Sequence, residues 1–245
     1  MTPTRDDLES AARRFLDACS DIETHLRGQF GQESIRGFGE LVSHARPKSP
    51  VVRQYWNHLE AMRELRNAIA HNSYDEGRPI AAPLPRTVAM AERVRDEIRS
   101  PAPIRKHLPS GAIEVAYPED PLRPHLTRMV TRNFSQIPVY SENGFIGLLT
   151  TNAITRWVAG NLDERGDVYI ESGSVGAVLD CAEIHEKGVV VKSSTPVASV
   201  VEKLTAAQPP LAILVTESGK SSEKPIGIVV LADLPRLLAV LSPSA

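Results

Sequence analysis

Ile137-Pro-Val-Tyr-Ser-Glu-Asn-Gly-Phe-Ile-Gly-Leu-Leu-Thr150 decides the fold, because the chain says it again as Ala212-Ile-Leu-Val-Thr-Glu-Ser-Gly219 and Pro225-Ile-Gly-Ile-Val-Val-Leu-Ala-Asp233. At an offset of 75, Pro121-Leu122 matches Pro196-Val197, Leu126 matches Val201, Met129 matches Leu204, and Val139 matches Leu214. Glu142 and Gly144 match Glu217 and Gly219 at the same offset. Lys220 to Lys224 then lengthen the second hairpin by five residues, so that Ile146-Gly147 matches Ile226-Gly227 and Ile154 matches Leu234 at an offset of 80. A self-similar period means one supersecondary unit used twice. Short β-branched runs alternating with helical periodicity make each unit a βαββα-type repeat.

These stretches resemble the CBS domain, which occurs in tandem pairs known as Bateman modules. Gly173-Ser-Val-Gly-Ala-Val-Leu179 is similar to the short helix that opens a second unit. The resemblance implies adenosine-containing ligands in clefts between the two units. The family's ribose-phosphate motif is Gly-h-x-(Ser/Thr)-x-x-Asp, with the hydroxyl on phosphate and the carboxylate on the ribose diol. Neither repeat keeps all of it. The first has Gly147 and Thr150 but Ala153 in place of the acid, with Asn152 one residue out of register; the second has Gly227 and Asp233 but Val230 in place of the hydroxyl. Thr150, Asp233 and Asn152 are therefore the candidate ligand residues, for an adenine nucleotide or a cyclic dinucleotide effector. A purely structural, dimerising role is the alternative.

Upstream of Ser100-Pro101-Ala102-Pro103, a natural linker, the character is helical. Leu8, Ala11, Ala12, Phe15, Ala18, Cys19 and Ile22 recur at helical spacing, and Phe38, Leu41 and Val42 predict a short second helix. Ser49 as N-cap and Pro50 at the first turn predict a third helix running to about His71, with Val52, Tyr55, Trp56, Leu59, Met62, Leu65 and Ile69 as its apolar stripe. Residues 72–79 read as a loop and 85–99 as a fourth helix. The expected architecture is α + α/β: an antiparallel helical bundle over 1–100 and two repeats over 101–245, about 105–162 and about 170–242.

The third predicted helix ends on Arg66-Asn67-Ala68-Ile69-Ala70-His71. Histidine transfers protons near neutrality, and arginine carries a permanent charge suited to phosphate. Asn67 and His71, at i,i+4, lie one above the other on a helix, with Arg66 one residue to the side. The segment resembles the Arg-x4–6-His signature of HEPN domains. The resemblance implies a metal-independent endoribonuclease leaving a 2′,3′-cyclic phosphate, with Arg66, Asn67 and His71 as catalytic residues facing a second copy across a homodimer. Some members of that family only bind nucleic acid or assemble complexes, so a non-catalytic regulator or scaffold is the other class of function.

Composition sets bounds on both readings. The 245 residues carry a net charge of −2, so contact with RNA needs a local basic patch rather than bulk basicity. Cys19 and Cys181 are two distant thiols, and no Cys/His cluster has the spacing of a metal site. The first residues lack an apolar signal core and the apolar runs are strand-length, so the expectation is a cytoplasmic protein without a membrane span. No cofactor is expected to be required. The expected partners are RNA as substrate, an adenine nucleotide, and further copies of the chain in a homodimer or higher homo-oligomer.

Overall fold

The computed structural model describes residues 4–31, 35–71, 82–109, 111 and 113–241, without the side chains of Ala70 and His71. The predicted loop 72–79 and the side chain of His71 lie outside the described residues. The backbone divides into two compact units: Met1–Ala102 with Pro196–Ser199 and Ala239–Ala245, and Pro103–Thr195 with Val200–Leu238.

The first unit contains five described helices: α1 (Arg5–Phe30), α2 (Phe38–Ala45), α3 (Pro50–Gln54), α4 (Trp56–His71) and α5 (Pro85–Arg99). Thr4 and Asp7 cap α1 reciprocally, each side chain reaching the other's backbone N–H. Pro85 occupies the first turn of α5, where a missing N–H costs nothing. The apolar stripe of α1, from Ala12 to Leu26, is fully buried against α2 and α5, whereas Leu8 stays 43% exposed. Two parallel bonds from Arg14 to the Glu92 carboxylate, at 2.8 and 2.7 Å, tie α1 to α5.

The third predicted helix is two helices. Ser49 caps α3 as expected, accepting the Val52 N–H at 3.3 Å. At Tyr55 the backbone leaves the helical region (φ −98°, ψ 15°), and α4 begins at the next residue. Tyr55 is 1% exposed, and its hydroxyl donates to the Leu241 carbonyl at 3.2 Å. That bond satisfies the phenol in an apolar setting, which local helical periodicity does not anticipate. Trp56 lies half-buried beneath the Arg46 guanidinium, 4.1 Å from its ring centre.

The second unit uses one plan twice. In the first repeat, Ala116 bridges in parallel to Val139; α6 (Leu122–Arg132) follows, then β1 (Gln136–Ser141), β2 (Gly144–Thr150) and α7 (Thr151–Gly160). A 3₁₀ turn (Ile170–Ser172) and α8 (Val175–Leu179) lead into the second. There β3 (Gly188–Lys192), α9 (Val197–Leu204), β4 (Ala212–Thr216), β5 (Gly227–Val229) and α10 (Leu234–Leu241) complete the plan. β1 and β2 are antiparallel, as are β4 and β5, while β3 runs parallel to β4. Ala116, Leu122, Met129, Ile137, Val139, Leu149, Ala153 and Trp157 form the first repeat's core, which Val175 and Val178 of α8 complete.

The β-branched run Ile113-Glu114-Val115 forms no ladder beyond the single bridge at Ala116, and Pro138 explains why. Ala116 donates to the Pro138 carbonyl at 2.9 Å and accepts from the Tyr140 N–H at 2.8 Å. The next rung toward Glu114 would need an N–H from residue 138, and proline has none. In the second repeat Ile213 occupies the matching place, and the parallel ladder runs unbroken from Gly188 to Lys192. The hairpins also meet. Gly144 holds φ at +112° with the Ser221 carbonyl against the place a Cβ would occupy, and Phe145 donates its N–H to that carbonyl at 2.8 Å. A side chain at Gly144 would face both left-handed strain and backbone overlap.

Candidate functional site

The interrupted ladder leaves space beside β1. A cavity of about 210 Å³ is lined by Ile113, Glu114, Phe134, Gln136, Ile137 and Pro138 of the first repeat, by Pro109 and Gly111 ahead of it, and by Ile228 of the second. Its walls are mostly apolar. Two polar side chains sit in them. Glu114 holds Arg128 at 2.8 Å and Arg132 at 3.4 Å, both from α6. Gln136 donates to the Leu211 carbonyl at 3.4 Å and accepts from the Ser135 hydroxyl at 2.6 Å.

Ile228 belongs to the second repeat's motif, whose acid is Asp233. One Asp233 oxygen accepts the Val230 N–H at 3.0 Å, closing the 3₁₀ turn Leu231–Asp233. The other meets Arg236 at 2.9 Å, and Arg236 also donates to the His107 carbonyl. A carboxylate offers about four acceptor positions. Two are used, and the side chain is 20% exposed. Asp233 thus keeps capacity for hydroxyl donors.

The first repeat's motif is arranged differently. Thr150 is 2% exposed. Its hydroxyl caps α7 by accepting the Ala153 N–H at 2.9 Å, and it donates to Glu186 Oε1 at 2.7 Å. The Glu186 side chain has no exposed surface. Its other oxygen accepts the Glu183 N–H at 2.9 Å and pairs with Arg156, whose Nε donates to the Cys181 carbonyl at 2.8 Å. A buried carboxylate requires this degree of pairing. The hydroxyl singled out in the sequence for a ligand's phosphate is therefore already bonded to the protein's own anion. Asn152 is exposed on the first turn of α7 and is not among the residues lining the cavity. Sequence reasoning missed Glu186, Arg156 and Pro138. Of these only Pro138 had a readable signal, a proline inside a short β-branched run.

In the helical unit, Arg66 is partly buried. Its guanidinium reaches α1 and pairs with Glu23 at 3.1 Å, leaving 28% of the side chain exposed, and lies 5.7 Å from the Phe38 ring centre. Glu23 also holds Arg27 at 2.9 Å. Asn67 is exposed. Cys19, beneath this pair, is fully buried, and burial pushes its thiol up to about 12. Among the described residues no group of three or more His, Cys, Asp or Glu side chains is placed to hold a metal ion, and no helix is long and apolar enough to cross a membrane.

Residues 106–160 match the family model of the CBS domain. The matched span contains α6, β1, β2 and α7, so the first repeat is a CBS domain. No curated protein matches the chain. Among solved structures, the CBS domain of a CBS-domain-containing membrane protein from Sphaerobacter thermophilus is 21% identical, with 61% of this chain and 97% of that one covered at a TM-score of 0.42. A CBS domain protein of Pyrobaculum aerophilum complexed with AMP is 16% identical, covering 57% and 98% at 0.42. The CBS domain of a bacterial CNNM/CorC family Mg2+ transporter in complex with ATP is 15% identical, covering 56% and 87% at 0.41.

Proposed function

We propose that this chain is a regulatory protein whose repeated unit binds an adenine nucleotide, with the helical unit as the part regulated. The observation that carries the reading is the apolar cavity joining the first repeat to Ile228 of the second repeat's motif. Cavities that enclose whole drug-sized ligands measure about 300–1,000 Å³. A smaller one suits a flat base, with sugar and phosphate lying outside it. Ile113, Ile137, Pro138 and Ile228 supply the faces for such a base. Asp233 and Arg236 do not line the cavity; they follow Ile228 by five and eight residues, and in this reading Asp233 takes the ribose diol outside it with its remaining acceptor positions while the half-exposed Arg236 offers positive charge to the phosphate.

Calorimetric titration of AMP, ATP and cyclic di-AMP tests this. The wild type is expected to bind at least one of them, and Asp233→Ala to bind it about ten- to a hundredfold more weakly, the equivalent of about 1.5–3 kcal/mol for a charge-assisted hydrogen-bond pair. No heat with any of the three discards the reading. Binding unchanged in Asp233→Ala moves the ligand away from this carboxylate.

RNA cleavage by the helical unit is the second reading. The exposed Asn67 one turn before His71 on α4 favours it; the engagement of Arg66 by Glu23 weighs against it. Under this reading the protein cleaves RNA in the presence of chelator, acts as a homodimer, and loses cleavage in His71→Ala. Equal activity of His71→Ala and wild type removes it.

A further inference from the structure

We infer that Glu186 is a built-in anion that closes the first cleft, so that the repeated unit takes one nucleotide and not two; this rests on the nucleotide reading of the second cleft. The parallel pairings align the repeats. Ala116 lies opposite Val139 and Val190 opposite Leu214, and four residues before each come Ala112 and Glu186. Ala112 is outside the described residues. In the first repeat the described residues ahead of the bridge, Gly111 and Ile113, border the cavity. In the second the chain ahead of the strand carries a glutamate, which reaches back to the first repeat's motif and ends on Thr150.

Three contacts hold the carboxylate there: the Thr150 hydroxyl at 2.7 Å, the Glu183 N–H at 2.9 Å, and the Arg156 guanidinium. A hydroxyl, a backbone N–H and a guanidinium are the donors that a phosphate group would also use. An incoming phosphate would have to displace a side chain with no exposed surface. It would meet the carboxylate's charge on the way, and it would take from Arg156 the nearer of its two carboxylates, leaving Glu183 at 3.6 Å. The cleft whose motif kept the phosphate-binding hydroxyl is thus shut, while the cleft whose motif lost it is open. Glu186 sets the stoichiometry, and its removal exposes an anion site made of Thr150 and Arg156.

The test compares full-length wild type, Glu186→Ala and Glu186→Gln, with AMP as titrant and inorganic phosphate as a second probe in thermal melts. Wild type is expected to bind one AMP per chain. Glu186→Ala is expected to bind two, and to gain more melting temperature from phosphate than wild type does, against chloride at equal ionic strength. Glu186→Gln keeps the side-chain volume and the bond to Thr150 while removing the charge; it guards against a variant that fails to fold, and it is expected to show a smaller phosphate gain. Two equivalents of AMP on the wild type overturn the inference. So does a single equivalent on all three proteins with no phosphate gain in either variant. A phosphate gain confined to the variants, with no AMP bound by the wild type, upholds the role of Glu186 as a resident anion and discards the nucleotide reading instead.

Discussion

The two halves of the CBS-like unit share a plan and differ in what lies between them. On one side, Pro138 stops a parallel ladder after one bridge and a cavity lies where the strand would have paired. On the other, the ladder from Gly188 to Lys192 is complete and Glu186 fills the space ahead of it. One missing N–H and one added carboxylate separate the two clefts.

The sharpest way to break this comparison is to remove the arginine from each side. Arg156→Ala strands a fully buried carboxylate, and is expected to cost about 3 kcal/mol of unfolding free energy, the low end for orphaning a buried charge, because Arg156 itself is a third exposed. Arg236→Ala removes a partly exposed i,i+3 pair with Asp233 and is expected to cost less than about 1 kcal/mol. Equal costs, measured by urea denaturation, would erase the distinction between a filled and an open cleft.

The threonine sharpens it further. Thr150→Ala removes the cap of α7 and one donor to Glu186, and is expected to lower stability by about 1–2 kcal/mol. Its effect on nucleotide affinity is expected to be nil, because the hydroxyl faces the protein's own anion. A weakened AMP isotherm in Thr150→Ala would place ligand in the first cleft.

The thiols give the smallest signal. Cys181, half-buried beside Arg156, is expected to react with iodoacetamide in the native protein, while the buried Cys19 does not. Saturating AMP is expected to leave the Cys181 rate unchanged; protection would again point to the first cleft. Cys19 also has a pH signature. Its acidity is weakened by folding, so the stabilisation that burial of the neutral thiol reflects is whole below pH 9.0 and is lost as pH rises toward about 12.

Periodicity carried most of the architecture. The existence of α1 and α2 follows from apolar spacing, the bounds 85–99 read for the fourth helix coincide with α5, and the repeat was readable because matched residues recur at two fixed offsets. Tyr55 was misread because a helix break set by a buried phenol and a distant carbonyl leaves no local trace. Glu186 was invisible for the same reason. Thirty-six positions separate it from Thr150, and in the sequence it is one acid in the charged run Glu183-Ile-His-Glu-Lys187. Arg66 was legible as a residue of interest but not in its direction, since only the fold brings Glu23 to it.

The embrace of Gly144 and Ser221 bears on how this protein can be cut. Residues 106–160 match a family model, but their contacts do not close within those ends. A fragment with those ends would leave the Phe145 N–H without the Ser221 carbonyl, Thr150 and Arg156 without Glu186, and Ala153 and Trp157 without α8 across the core. A cut at those ends severs contacts that the folded chain makes only between its two repeats.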